Sequence, residues 1–233
     1  MSASHEPADA RDAALPTDLR AALSTLSHGA REGYASTLAL LALRRGKALD
    51  AAGIAQLIDR LDRIARSSLA AIDDLVDLVV ARTQALRLEP IDLAAMLMDV
   101  VADAWPLADQ RGARVQIVSS AGKAPVHADL ELLGAALAKV LRDSLARAPA
   151  GTEVHCTLAA AGPVWVVEIT DPGAAGNATV IAEGAPGDAG IAAPSHADAG
   201  IVQAQAVAWR HGGWVRVVAG HDAGRIVRIA VPR

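Results

Sequence analysis

Apolar residues spaced alternately four and three apart run from residue 54 to residue 79, and this repeat restricts the first third of the chain to one architecture. Ile54, Ile58, Leu61, Ala65, Ser68, Ile72, Leu75 and Val79 carry the spacing, which gathers them on one side of a long helix. Leu57, Ile64, Leu69 and Val76 widen the stripe beyond a two-position seam, so this helix is suited to several neighbours. Upstream, Thr17 is placed to cap a first helix behind Pro16, with Leu19, Leu23, Leu26, Ala30, Leu38 and Leu41 as its apolar stripe. Gly29 and Gly33 weaken that helix, each by about 1 kcal/mol relative to alanine. Arg44-Arg45-Gly46-Lys47 reads as its end and the turn that follows, the basic residues suiting a helix C-terminus. A hairpin of two helices has little core of its own, whereas two hairpins side by side form a four-helix bundle. The spacing therefore predicts a homodimer.

Composition points the same way. Apolar residues make up 52% of the 233, yet only 2% are aromatic and none is Phe, so packing must rest on aliphatic and alanine contacts that favour an oligomer interface. A net charge of −4 and no Lys/Arg-rich run argue against a nucleic-acid partner. No stretch reads as a signal peptide or membrane span, and a cytoplasmic protein is expected, with no membrane contact. The lone cysteine, Cys156, falls in a candidate strand as a buried thiol. His5, His127, His155, His196 and His221 lack metal-ligand spacing, so no metal site is expected.

Three segments follow: a flexible tail over 1–17, the helical hairpin over 18–88, and a second domain over 89–233. After Glu89-Pro90, Ile91-Asp92 leads into a helix from Leu93 to Ala108. A strand begins at Arg114, a helix spans Ala128 to Arg147, and strands cover Val154 to Leu158 and Val164 to Ile169. Residues 171–195, rich in Ala and Gly, read as a loop or lid. A short helix from Ile201 to Trp209 and a hairpin of Trp214–Val218 with Arg225–Val231 close the chain. Helices on one face of a mixed sheet give an α+β sandwich.

Leu26-Ser27-His28-Gly29-Ala30-Arg31-Glu32-Gly33, set early in the first helix of a hairpin, resembles the phosphoacceptor segment of bacterial sensor histidine kinases. His28 and Arg31 stand in the matching places. Gly29, Glu32 and Gly33 replace the acidic residue, the Thr or Asn, and the Pro. Leu86-Arg87-Leu88-Glu89-Pro90-Ile91-Asp92-Leu93 looks like the family's link into its ATPase-like domain, and Arg210-His211-Gly212-Gly213 and the final strand also match.

The resemblance breaks where nucleotide would bind. The family's two asparagines, four residues apart, align with Lys139 and Asp143. Asp143 still suits a hard cation, while a protonated Lys139 suits only phosphate. The adenine-binding Asp-x-Gly-x-Gly survives as Asp171 and Gly173, with Ala175 at the second glycine. In the later Gly-x-Gly, whose backbone donors would cradle phosphate, Asp198 replaces the first glycine and Gly200 keeps the second. Weak or absent ATP binding and no autophosphorylation are expected.

What the resemblance implies is a degenerate histidine kinase acting as a phosphorelay histidine phosphotransferase within a two-component system. It would exchange phosphoryl groups between His28 and aspartates of response-regulator receiver domains, without ATP-dependent autokinase activity. His28 would be the nucleophile and Glu32 the acceptor for its second ring nitrogen. Arg31 would help position phosphate. No cofactor would be bound tightly, because the receiver would bring Mg²⁺. The alternative is a non-catalytic pseudokinase scaffold that binds a receiver or a histidine kinase. A divergent but active kinase would rest on Asp171, Gly173 and Gly200.

Overall fold

The computed structural model describes residues 27, 31–42, 50–119, 122–172, 199–220 and 224–233. The tail over 1–17, the cap at Thr17, His28, Gly29, the turn at Arg44–Lys47, and both Gly173 and Asp198 lie outside them.

Helix α1 covers residues 31–42. Asp50 starts the second helix, α2 (Ala51–Thr83), by accepting a hydrogen bond from Gly53 N at 2.8 Å, which satisfies one of the helix's orphan donors. Gln84 turns extended and ends it. Strand β1 (Glu89–Asp92) then leads into α3 (Leu93–Gln110), capped by Asp92. Strands β2 (Arg114–Ser119) and β3 (Pro125–Ala128) follow, then α4 (Leu130–Arg147). Next come β4 (Glu153–Ala161), β5 (Val164–Asp171), α5 (Ala199–Arg210), β6 (Trp214–Ala219) and β7 (Arg225–Pro232).

Five strands form one sheet in the order β2-β4-β5-β7-β6, with β2 parallel to β4 and the other neighbours antiparallel. Alternation along β4 and β5 turns Val154, Cys156, Leu158, Trp165, Val167 and Ile169 to one buried face, against which the helices pack. Leu133, Leu137, Leu141 and Leu145 of α4 are wholly buried there, with Leu93 and Leu97 of α3 and Ile201 of α5. Alanines at 136, 204, 206 and 208 fill the gaps between them. The fold is α+β, as the sequence reading holds.

Three local differences have physical causes. Glu89–Asp92 is a strand, paired antiparallel with Pro125–Ala128 in a separate two-stranded sheet; four residues carry too little periodicity to read. Asp171 is the last residue of β5 and not the start of a loop, because β7 extends the pairing to Arg225 opposite it. Finally, α2 has two working faces. Ser68, Ala71, Asp74, Leu78 and Ala81 are buried, whereas Ile54, Ile58, Ile72 and Val79, all in the expected seam, are exposed.

The buried face joins α2 to the sheet domain. Leu78 and Ala81 belong to its hydrophobic core, and Arg210 at the end of α5 donates from Nη1 to Ala81 O at 2.7 Å and from Nη2 to Gln84 O. These bonds satisfy carbonyls that the end of α2 would otherwise leave open. Asp129 ties the same junction: its carboxylate accepts from Leu132 N and Arg87 N, and its own N–H donates to His211 Nε2 at 2.9 Å. His211 Nδ1 lies 2.8 Å from Val207 O, so the ring is held as the neutral tautomer protonated on Nδ1. Gly212 takes φ +74°, and a Cβ on Gly213 would meet Ala230 O at 1.9 Å. His211-Gly212-Gly213 is thus a structural joint.

Candidate functional site

Lys139, Asp143 and Arg147 succeed one another at four-residue spacing on α4, and therefore line one face of it. That face looks toward α2, the start of α5 and the end of β5. Lys139 Nζ lies 2.6 Å from Asp74 Oδ1 of α2 and 3.5 Å from Asp143 Oδ1. Asp143 Oδ2 accepts a hydrogen bond from Gly200 N at 3.0 Å. The first-turn N–H groups of a helix attract anions, and here the anion is the chain's own carboxylate. A Cβ at Gly200 would come within 2.4 Å of Asp143 Oδ2, so glycine is what admits it.

Asp171, 1% exposed, is engaged in the same manner. Arg147 Nη2 donates to its Oδ2 at 2.5 Å, and Arg225 Nε lies 3.4 Å from the same oxygen. Strand register supplies Arg225, since Asp171 and Arg225 are partners across β5 and β7.

Two carboxylates, Asp74 and Asp143, share one ammonium. Burial pushes Lys139 down, but the hydrogen bond to Asp74 and the charges of Asp143 and Asp74 raise it above the usual lysine range on balance. Asp143 is pushed up, first by burial and further by the charge of Asp74, against the lowering effects of Lys139 and Gly200 N–H. Burial also raises Asp77, one turn beyond Asp74. All three shifts favour the protonated form, as an excess of buried carboxylate over cation does.

A magnesium–nucleotide does not fit these residues as they stand. A protonated Lys139 repels a cation, Asp143 already occupies the N–H of Gly200, and both arginines hold the carboxylate of Asp171. Among the described residues no group of three or more His, Cys, Asp or Glu gathers as a metal site. The remaining reactive groups are inert or structural. Cys156 is buried, which pushes its thiol up to about 12, and His155 sits beside Glu153 at 3.3 Å.

On the hairpin, Arg31 and Glu32 are exposed on α1. Glu32 and Gly33 line an open groove of about 550 Å³ with Ser36 of α1 and Arg60, Arg63, Ile64 and Ser67 of α2. A Cβ on Gly33 would lie 1.9 Å from Ser68 Oγ and 3.5 Å from Ile64. The close approach that this glycine permits is therefore to the chain's own α2, not to an incoming partner.

Sequence reasoning missed Asp74, Arg147 and Arg225. A signal existed for Asp74: it stands between Ala71 and Leu78 on the buried face, where a carboxylate demands a paired cation. For the arginines no local pattern distinguishes them.

The chain has the histidine-kinase fold. It superposes on a histidine kinase, AdeS, from Acinetobacter baumannii with a TM-score of 0.55 at 15% identity, covering 87% of this chain and 95% of that one. Full-length ShkA in complex with AMPPNP gives a TM-score of 0.57 at 17% identity over 90% of this chain, which spans 45% of that protein. A histidine kinase from Burkholderia phymatum STM815 gives 0.51 at 13% identity, covering 94% and 99% of the two chains. No family profile and no curated protein matches the sequence. No described helix is long and apolar enough to cross a membrane.

Proposed function

We propose that this chain is a histidine phosphotransferase of two-component signalling, relaying phosphoryl groups between His28 and receiver-domain aspartates without using ATP. One observation carries the reading. The groups that the fold would present to nucleotide are spent within the chain, with Asp143 on Gly200 N, Lys139 on Asp74, and Asp171 on Arg147 and Arg225.

In the forward step the neutral ring nitrogen of His28 forms the N–P bond as the O–P bond of the aspartyl phosphate breaks. The electron pair leaves with the aspartate carboxylate. The ring becomes cationic, and Glu32, one helical turn on in the sequence, is the group proposed to hold its second N–H. Alignment and electrostatics supply most of the acceleration in such a transfer. Mg²⁺ belongs to the receiver in this scheme. The chain acts as a homodimer: Ile54, Ile58, Leu69, Ile72, Val76 and Val79 present a continuous apolar stripe on α2, and a second copy is the partner that would bury it.

Purified phospho-receiver mixed with the wild type should pass an acid-labile label to this protein, and none to His28→Ala. Equal loss of receiver phosphate from both, with no label trapped, would instead favour the pseudokinase scaffold. A low-micromolar ATP affinity by calorimetry would contradict the ATP-independent part of the reading.

A further inference from the structure

Strand β2 is an edge of the five-stranded sheet: β4 is its neighbour on one side, and no strand among the described residues lies on the other. Arg114 N donates to Thr152 O at 2.9 Å, and residues of a parallel ladder face their neighbour alternately. Val115 and Ile117 therefore direct their N–H and C=O groups to the open edge. Beside that edge runs a groove of about 620 Å³, bounded by Trp105, Pro106 and Asp109 of α3, Val115 and Gln116 of β2, and Glu153 of β4. On α3, Met98, Ala102, Trp105 and Asp109 share one exposed face, as their spacing requires. Met98 is 55% exposed and Trp105 67%, so two large apolar side chains stand in water next to unpaired strand backbone.

Charge selects the occupant. The exposed side of α3 carries Asp99, Asp103 and Asp109, and the whole helix has no Lys or Arg. Glu153 adds a further carboxylate to the groove wall. Arg114, the cation in that wall, lies 3.5 Å from Glu153, and nearby Arg111 turns its Nη1 to Ala146 O. The opposite edge of the sheet differs, because on β6 the chain's own Arg216 lies over the Trp214 ring.

We infer that this groove receives an extended, basic segment of a partner protein, added to β2 as an outer strand. Its main chain pairs with Val115 and Ile117, its apolar side chains rest on Trp105 and Met98, and its Lys or Arg side chains meet Asp103, Asp109 and Glu153. Main-chain pairing gives such a strand its affinity, and the side-chain contacts give it selectivity. A helix would cover Trp105 but leave the backbone groups of the edge unpaired. A second copy of this chain fits less well, since its own α3 would bring a second acidic side against the first. The groove uses no residue of the hairpin, so it stands whether or not the chain transfers phosphate.

The test titrates the full chain with a short fluorescent peptide alternating valine and lysine, beside a version with glutamate for lysine and a version N-methylated on alternate amides. The lysine peptide should bind, and the glutamate peptide should bind at least about tenfold more weakly. Methylation of the amides that would face β2 should remove binding. Amide exchange at Val115 and Ile117 should slow when the lysine peptide is bound. Trp105→Ala should weaken binding about tenfold, and Asp103→Lys/Asp109→Lys should turn the preference toward the glutamate peptide. All three positions are exposed, so these variants are compared at a urea midpoint that matches the wild type. No binding of the lysine peptide at millimolar concentration, or equal binding of the lysine and glutamate peptides, would overturn the proposal. So would retained binding of the N-methylated peptide, which marks a helical occupant, or a loss of self-association in Trp105→Ala, which marks a second copy.

Discussion

Along α4, Lys139, Asp143 and Arg147 are all engaged by the chain itself, whereas along α2 the side chains of Ile54, Ile58 and Leu69 face solvent, as do Arg60 and Arg63. The sheet domain has turned these charged groups inward, closing them on α2, α5 and β7. The hairpin keeps both apolar surface and positive charge outward. A site whose donors are satisfied internally gains rigidity at the cost of ligand binding. A helix with an open apolar face and open cations is built for association. Under the phosphotransfer proposal the outward chemistry belongs to the hairpin, with the sheet domain as its support.

Breaking the closed side should have the largest effect. Lys139→Met would leave Asp74 and Asp143 buried without their cation, at a cost of about 3–5 kcal/mol, read as a lower urea midpoint. Adding Asp74→Asn should return part of the loss, because the two positions are directly coupled. A loss equal to the sum of the single changes would mean that the pair does not bind the helix to the domain. Next in size, Leu78→Ala removes the side chain by which α2 enters the domain core, with an expected cost of about 3 kcal/mol. The same change should raise amide exchange in α2 more than in β5.

The open side should respond differently. Ile72→Asp should leave unfolding of the sheet domain within about 0.5 kcal/mol, since Ile72 is 38% exposed in the single chain. It should weaken self-association at least about tenfold, a difference of roughly 1.4 kcal/mol, measured by light scattering across a dilution series. Unaltered association would remove the α2 stripe from the dimer interface.

The smallest effect is a titration at the joint. Burial pushes Asp129 up, but N–H donors from Leu132 and Arg87 outweigh it and hold the carboxyl below its usual range. A lowered folded value means stability that is present above the ordinary carboxylate range and lost as pH falls through the folded value. Asp129→Asn should therefore flatten the acid limb below about pH 4. Lys139, raised on folding, has the opposite sign: its contribution is complete below the ordinary lysine range and disappears as pH rises through the folded value. Lys139→Met should thus reduce the alkaline loss, while raising the pH at which the two carboxylates that share it take up protons.

Much of this was legible before any tertiary information. The helices read as starting at Leu93, Ala128 and Ile201 follow from their apolar residues, and β4, β5 and β7 follow from alternation. The paired strands at Glu89 and Pro125 escaped because four residues hold no period. At the site, Lys139 and Asp143 were legible as departures from a motif and Asp171 and Gly200 as positions that keep it, but their present partners were not.

By itself, the sequence determined the α+β class, most of the order of elements, and the presence of Lys139 and Asp143 on one face of α4, because each depends on residue type and near-neighbour spacing. Only the tertiary structure decided which face of α2 is buried, that Asp74 meets Lys139, that Arg225 reaches Asp171 through strand register, and that Arg210 closes the end of α2. Those contacts join residues distant in the chain, and their energies come from packing, desolvation and shared hydrogen bonds that exist only once the helices and sheet are assembled.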